Sequence, residues 1–216
     1  MASIPVPRQV APAEDLVWQS VGVGERLLAA ALLVMSAPVM AASAGVLAIL
    51  SRRTPWIAHR RVGWRGNTLW MLKLRTMWDG AASRREGWIE YIEDSVVPET
   101  KHEDPRVTSR FAGFCRRHSI DELPQLWHVM RGEMSLVGPR PVTEFELHRF
   151  YGADAEEVLQ VKPGIAGLWQ TSGRSRLTWP ERRALDLYFV RQRSVGLYLR
   201  ILARTLPEVW QGTNGF

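Results

Sequence analysis

Two adjacent carboxylates, Asp121 and Glu122, are the residues of this chain best suited to chemistry. They stand in SIDELPQLW, residues 119–127, where Ser119 followed by Glu122 three positions later is typical of a capped helix start. Such a pair can simply satisfy backbone N–H groups. It can also hold a divalent cation, or attack phosphorus where cations neutralise the phosphate oxygens. The pair alone leaves both interpretations open, and its cationic surroundings favour phosphoryl chemistry.

Cations accompany the pair on several segments of the chain. Arg116 lies just upstream, and Arg140 is held between two prolines in the rigid turn GPRP, residues 138–141. A second stretch rich in turn residues begins at KPG, residues 162–164, and also presents a cation on a fixed loop. Lys73 and Arg75 close a predicted hairpin and are candidate phosphate-binding residues, with plain surface charge as the alternative for each.

Other reactive side chains are expected to be structural. We expect His118 and His128 to be hydrogen-bonded structural residues, and Cys115 to be a small buried residue rather than a nucleophile. A single cysteine excludes an internal disulfide and a multi-cysteine zinc site. The sequence contains no GxxxxGK[ST] phosphate loop, HExxH motif or GxSxG elbow, so ATP-driven and zinc-dependent chemistry lose support.

The elements that must position the pair are short. Residues 60–76 predict two strands around a turn at 63–67, which together make a β-hairpin. Residues 79–104 are polar and predict a loop or a surface helix. Residues 119–131 predict a helix that ends at Gly132.

Residues 27–50 carry no charge, and one helix of that length can cross a hydrocarbon core of ~30 Å. Pro38 predicts a kink in its middle, because proline removes a backbone donor and clashes with the preceding turn. Basic residues flank both ends, so the positive-inside rule gives no orientation for a simple span. We therefore favour a re-entrant helix with both ends in the cytosol. A plain span and a secretory signal peptide are the alternatives.

Composition favours an anionic partner. The 216-residue chain suits one domain, carries a net charge of +6 and has a pI of about 10.1. Residues 181–206 combine leucines and aromatic residues with six arginines, which is typical of an amphipathic helix on anionic lipid. A basic face on a packed helix is the alternative for this segment. Ten tryptophans also favour a membrane surface.

Four strings in order resemble the bacterial sugar transferase family, the monotopic polyprenyl-phosphate phosphoglycosyl transferases that start exopolysaccharide and other surface-glycan assembly. They are KLRTM (73–77), DPRVT (104–108), SIDELPQLWHVMRGEMSLVGPRP (119–141) and VKPGIAGLWQTSGRS (161–175). The resemblance covers about residues 20–212, and the short chain resembles the members that make the first hexosyl-phosphate lipid of a secreted polysaccharide.

The resemblance implies an α+β, mostly helical monotopic membrane protein with a small β-hairpin and amphipathic interfacial helices. Its expected parts are a mobile tail over residues 1–19, a kinked re-entrant membrane helix over 20–53 and a cytosolic catalytic domain over 54–216. The expected location is the bacterial inner membrane, with phospholipid as a partner and the catalytic domain facing the cytoplasm. The resemblance also allows a homodimer.

The same resemblance implies a ping-pong reaction. Asp121 attacks the sugar-bearing phosphate of a UDP-sugar, with galactose or glucose expected, and expels UMP; undecaprenyl phosphate then accepts the sugar phosphate. Glu122 is the partner carboxylate, and Mg²⁺ is held by Asp121 and Glu122. The candidate phosphate- or substrate-binding residues are Lys73, Arg75, Arg116, Arg140, Arg174 and Asp186.

Some positions and some functions remain open. For Asp186, pairing with Arg182 or Arg183 on a helix surface is the alternative. The chain departs from the family pattern at Ala166, His128, Lys162 and Tyr198. Two other functions compete: a membrane phosphodiesterase or phosphatase with water as acceptor, and a membrane-tethered nucleic-acid binder. The nucleic-acid binder explains the charge but not the acidic pair, so we expect no nucleic-acid partner.

Overall fold

The computed structural model describes residues 12–78, 87–93, 107, 109–173 and 176–211. The α-helices are α1 (Pro12–Ser51), α2 (Arg110–Arg117), α3 (Leu126–Arg131), α4 (Glu144–Glu146), α5 (Ala155–Val158), α6 (Trp179–Arg191) and α7 (Val195–Gln211). The strands are β1 (Trp56–Val62), β2 (Thr68–Leu74), β3 (Ile89–Ile92), β4 (Ser135–Val137) and β5 (Gly164–Ala166). This mostly helical arrangement with small sheets confirms the predicted α+β class.

Helix α1 is long, apolar and largely exposed. It begins at Pro12, ahead of the predicted boundary at residue 20, because proline is tolerated in a first turn where its missing N–H would have no partner. Over Leu16–Ser51 the helix is long and apolar enough to cross a membrane, and 22% of its most apolar window is buried. It continues through Pro38 as one helix. The re-entrant path stays a prediction, and residues 1–11 lie outside the described part.

One stripe of α1 packs against the rest of the protein. Its buried positions fall on one side of the helix, with spacings of a 3.6-residue period: Ala29, Met40, Ser43, Ala44, Leu47 and Ser51. The opposite face exposes large apolar side chains, including Leu27, Val34, Met35, Val39 and Ile49. This helix is therefore docked along one face and exposed along the other, and its exposed face is apolar, unlike the polar outer face of an amphipathic helix in a globular protein.

The predicted hairpin is confirmed. Strands β1 and β2 pair antiparallel with Val62 opposite Thr68, and β3 joins β1 from the other side in parallel. Strand β3 corrects the prediction of a loop or surface helix for this part of residues 79–104. Its sequence IEYI contains two β-branched isoleucines and an aromatic tyrosine, residue types that favour strands. The remainder, residues 79–86 and 94–104, lies outside the described part.

The main core lies between α3, the two-stranded parallel sheet of β4 and β5, and α7. Its buried members include Val129, Met134, Val137, Phe189 and Ile201. The basic and apolar pattern over 181–206 forms two helices, α6 and α7, rather than one. Helix α7 is amphipathic, with Ile201 buried and Leu206 and Trp210 exposed.

Candidate active site

The acidic pair lies in a 3-10 turn, Ile120–Gln125, that leads directly into α3. Ser119 has a φ of 54°, in the left-handed region, and its side chain makes no capping hydrogen bond. The predicted Ser119 cap is therefore wrong, because the chain reverses at this residue and Pro124 stands inside the turn. The end of the predicted helix is confirmed, since Gly132 follows α3 with a φ of 76°.

Glu122 is ion-paired instead of serving a cap. Its Oε1 lies 2.7 Å from Nζ of Lys73 on β2, and both side chains are mostly buried. Burial raises the pKa of the Glu122 carboxyl, but Lys73, Arg140 and Arg116 outweigh it and lower that pKa to about 2. Glu122 is thus an anion at any physiological pH, which is what a partner carboxylate in an ionic site requires.

Asp121 is placed for a different task. It is 6% exposed, and burial raises its pKa to about 6, with Lys73 opposing the rise and the charge of Glu122 adding to it. Such a carboxylate is ionised at neutral pH yet more basic than an exposed aspartate. Two neighbouring acids with pKa values displaced in opposite directions indicate two roles, a reactive group and a charge-holding group.

Cys115 of α2 lies between Ser43 of helix α1 and Asp121. Cys115 is fully buried, with its thiol hydrogen-bonded to Ser43 of α1. Burial first, and then the charge of Asp121, raise the pKa of this thiol to about 11. Cys115 is the buried, unreactive residue that the sequence predicts.

Arg116 stands in the last turn of α2, beside the pair. Its Nη1 donates to Oγ1 of Thr76 at 3.4 Å, and its positive charge lowers the pKa of both Asp121 and Glu122. Lys73 and Arg116 therefore approach the acids from two different elements, β2 and α2.

Arg140 is presented by a turn that the backbone holds tightly. The N–H of Gly138 donates to Ala166, and the N–H of Gly164 donates to Pro139, each at 2.9 Å. A Cβ added to Gly164 would lie 2.0 Å from the backbone nitrogen of Gly138, so only glycine permits this approach. The close contact of the two turns, predicted separately as rigid, fixes the half-buried Arg140 beside Glu122.

Asp186 lies in a second buried group next to Arg140. The hydroxyl of Tyr151 donates to its Oδ2 at 2.6 Å, and its Oδ1 has no hydrogen-bond partner among the described residues. Burial raises the pKa of Asp186 to about 7, against the Tyr151 hydrogen bond and the charge of Arg140. Pairing with Arg182 or Arg183 does not occur: Arg183 lies 3.5 Å from Asp154 instead.

Two other predicted phosphate-binding residues, Arg75 and Arg174, are not found beside the pair in the described part of the chain. Arg75 is buried, donating from Nε to the carbonyl of Thr54 at 2.8 Å and pairing with Glu90 of β3 at 2.5 Å. It braces the chain after α1 to the sheet, so a phosphate role would require it to leave these partners. Arg174 lies outside the described residues.

The histidines are structural, as predicted. Nε2 of His128 accepts from the N–H of Leu72 at 3.1 Å, so its Nδ1 carries the proton for Glu133 at 2.6 Å. Nδ1 of His118 contacts the carbonyl of Val209 at 3.1 Å. Neither ring contributes to the acidic site.

No group of three or more His, Cys, Asp or Glu side chains able to hold a metal occurs in the described part of the chain. Asp121 and Glu122 offer two carboxylates as hard oxygen ligands, and one oxygen, Oε1 of Glu122, is ion-paired with Lys73. Mg²⁺ is commonly bound by one or two carboxylates plus substrate phosphates, so the donor set fits a magnesium ion that arrives with its substrate.

A profile of the bacterial sugar transferase family matches residues 22–212. The chain belongs to the bacterial sugar transferase family. It is 36% identical to the exopolysaccharide production protein ExoY of Sinorhizobium fredii over 187 residues, 85% of this chain and 82% of that protein. It is 40% identical to a UDP-galactose-lipid carrier transferase of Erwinia amylovora over 162 residues, 72% of this chain but 33% of the relative.

A further relative is the undecaprenyl-phosphate galactose phosphotransferase of Salmonella typhimurium, 36% identical over 158 residues. That match covers 70% of this chain and 32% of the relative. The chain thus spans most of ExoY and about a third of the larger relatives, and the matched region contains the whole acidic site.

One departure from the family pattern has a clear place in this bacterial sugar transferase. The hydroxyl of Tyr198 on α7 donates to Oε1 of Glu25 on α1. The same oxygen accepts from the Ser135 hydroxyl at 2.5 Å and from the N–H of Leu136 at 2.8 Å. Sequence reasoning missed this junction of α1, β4 and α7, because Glu25 reads only as a charge flanking an apolar segment.

Proposed function

We propose that this bacterial sugar transferase transfers a hexose 1-phosphate, from UDP-galactose or UDP-glucose, to undecaprenyl phosphate and releases UMP. The observation that carries the proposal is the buried pair of carboxylates with displaced pKa values, held among Lys73, Arg116 and Arg140. The names of the relatives support the substrate classes, since they include galactose and glucose transferases acting on lipid carriers.

In the first step a carboxylate oxygen of Asp121 attacks the sugar-bearing phosphorus of the donor. A new P–O bond forms to Asp121, and the bond to the bridging oxygen breaks, so that UMP leaves with the electron pair. In the second step the phosphate of the lipid acceptor attacks the same phosphorus and displaces the Asp121 carboxylate. Splitting the transfer in this way lets one site handle a soluble donor and a lipid acceptor in turn.

The neighbouring charges assist by neutralising phosphate oxygens. Lys73, Arg116 and Arg140 approach from β2, α2 and the GPRP turn and would face the charge that develops during transfer. Asp121 and Glu122 would hold Mg²⁺, which supplies further neutralisation of the phosphates when bound. Glu122, kept anionic by Lys73, is the member suited to contact the metal ion while Asp121 reacts.

The exposed apolar face of α1 supports a place at the inner membrane, with the acidic site at the cytoplasmic surface where UDP-sugars are present. A surface this apolar is costly in water and typical of a lipid contact. The product would be the first lipid-linked intermediate of an exopolysaccharide or another surface glycan, a place supported by the ExoY relatives.

The test is a transfer assay with purified protein in detergent, UDP-galactose or UDP-glucose, undecaprenyl phosphate and Mg²⁺. The wild type should release UMP and form a lipid-linked hexose phosphate. Without acceptor, intact-protein mass spectrometry of the quenched reaction should find a hexose-phosphate adduct on Asp121. Asp121→Asn should lose the adduct and at least about a thousandfold of the rate, because the nucleophile is gone.

A matched control is Asp154→Asn, which changes a partly exposed acid paired with Arg183 and should leave the rate unchanged. UMP release at the wild-type rate by Asp121→Asn would refute the assigned nucleophile. Product analysis separates the competing hydrolase, since free hexose phosphate in place of lipid-linked hexose phosphate would identify water as the acceptor.

A further inference from the structure

Arg182, in the first turns of α6, is a buried cation without an anionic partner. Its side chain is 7% exposed, and its Nε has no hydrogen-bond partner among the described residues. No ion pair of Arg182 occurs within the described ranges either. Burying a guanidinium nitrogen without a hydrogen-bond acceptor or an ion-pair partner is costly.

Aromatic rings hold the guanidinium in place. Its Cζ lies 4.8 Å from the ring centroid of Trp169 and 5.2 Å from that of Trp179. Trp179 is itself fixed by Phe150, with the two rings parallel within 3° and 4.0 Å apart. Indole faces compensate a cation in part and orient the plane of the guanidinium, but they do not use its N–H donors.

The two acids near Arg182, Glu146 and Asp186, already accept hydrogen bonds from other groups. Glu146 accepts from the backbone N–H of Thr143 in a capping box. Asp186 already accepts from Tyr151, and its raised pKa of about 7 keeps a large part of it protonated at neutral pH. After burial, the repulsion of Arg140 is the main cause that lowers the pKa of Arg182, so this region holds excess positive charge.

Arg140 lies close to this region, because Arg140 and Tyr151 line one cavity, and Tyr151 donates to Asp186, four residues after Arg182 on α6. The charge of Arg140 also acts on both Arg182 and Glu122. We propose that Arg182 and Arg140 together form a phosphate-binding site beside the reacting centre, which an anionic oxygen of a substrate phosphate completes. The planar fork of Arg182, oriented by the indoles, suits two phosphate oxygens. The phosphate belongs either to the pyrophosphate of the donor or to the lipid acceptor, and this identity alone rests on the proposed function.

The test replaces Arg182 with methionine, which keeps an unbranched side chain between the indoles and removes the charge. Binding to wild type and variant is measured by calorimetry with inorganic pyrophosphate, UDP, a short-chain polyprenyl phosphate, and uridine as the phosphate-free ligand. Arg182→Met should weaken phosphate ligands by about tenfold to a hundredfold, as loss of a charged hydrogen-bond donor does, and leave uridine binding unchanged.

The pattern of losses identifies the source of the phosphate. Weakened UDP binding assigns the site to the donor, weakened prenyl phosphate binding assigns it to the acceptor, and both losses indicate a site used in turn. Equal affinities of wild type and Arg182→Met for all phosphate ligands would overturn the proposal. Arg183→Met, which removes the neighbouring cation paired with Asp154, is the matched control and should bind as the wild type does.

Stability distinguishes binding from a merely structural role. Because the replaced charge is buried and unpaired, Arg182→Met should unfold at the same or a higher temperature than the wild type. Lower stability with unchanged phosphate affinity would mean that Arg182 only packs the indoles. Should Arg182→Met fail to fold, Arg182→Lys keeps the charge without the planar fork and should still weaken phosphate binding. Binding affinity and unfolding temperature are measured without turnover. The phosphate site can therefore be tested even if the protein does not catalyse the proposed transfer.

Discussion

Replacing Lys73 with methionine should move the pH dependence of the reaction. Lys73 forms the 2.7 Å ion pair with Glu122 and, after burial, has the largest influence on Asp121, whose pKa it lowers. A cation favours the ionised carboxylate. Without it, the folded-state pKa of Asp121 rises, and this proposed nucleophile is protonated at a higher pH.

The size of the shift is set by how the charge of Lys73 is shared. A nearby opposite charge lowers a carboxyl pKa by about 1–3, and because Lys73 is also paired with Glu122, we expect the lower end, about one, for Asp121. The midpoint for Asp121 then moves from about 6 to about 7. At pH 6 its ionised fraction falls from about a half to about a tenth, roughly fivefold, while at pH 8 both proteins stay above about nine tenths ionised.

The assay is UMP release in a single turnover without acceptor, followed from about pH 5 to about pH 9. The measured quantity is the pH at which the rate of UMP release falls to half of its maximum on the acidic side, here called the acidic limb. This pH does not depend on the size of the maximal rate. Lys73→Arg retains the charge and should keep the limb in place, as should Arg60→Met, which removes an exposed cation from neighbouring β1. A limb that Lys73→Met leaves at the wild-type position would refute the claim that this lysine sets the ionisation of Asp121.

Two further predictions concern the parts that hold Arg140. Because the folded-state pKa of Asp186 is raised to about 7, wild-type stability should fall as pH rises from about 4 to about 7; Asp186→Asn removes this loss. Denaturant unfolding in detergent should favour the variant by roughly 2–4 kcal/mol more at pH 8 than at pH 5, and an equal difference at both would contradict the linkage. Gly164→Ala forces a Cβ against the backbone of Gly138 and should lower both melting temperature and transfer rate. Gly45→Ala, with open space around the new Cβ, should do neither, and equal effects of the two alanines would reject the close contact as the cause.

The sequence predicted the parts of the site that depend on local signals. Gly132 ends α3, the hairpin carries Lys73, and the two turn segments are rigid, because glycine, proline and alternating strand residues act over a few positions. The adjacent acids were identifiable from their types and spacing. What local pattern could not supply is the partner of each charge across the fold.

Three features illustrate that limit. Ser119 has the residue type of a cap, but the reversal between α2 and the 3-10 turn overrides that preference. Arg75 has the type of a phosphate ligand, yet Thr54 and Glu90, distant in sequence, bind it. Tyr151 carries no motif at all and was missed, since only the packing of α6 brings it to Asp186. Each is decided by long-range contacts that a single sequence does not reveal.

The attachment of α1 at two points has a mechanical consequence. Glu25 is hydrogen-bonded to β4 and α7, and Ser43 contacts the thiol of Cys115 beside Asp121, so α1 is attached at two positions to the part of the protein that carries the acidic pair. Under the proposed function, a bilayer that sets the depth of α1 would also set the depth of Asp121 relative to the acyl chains. A lipid-anchored acceptor in the same bilayer would then reach Asp121 by lateral diffusion alone.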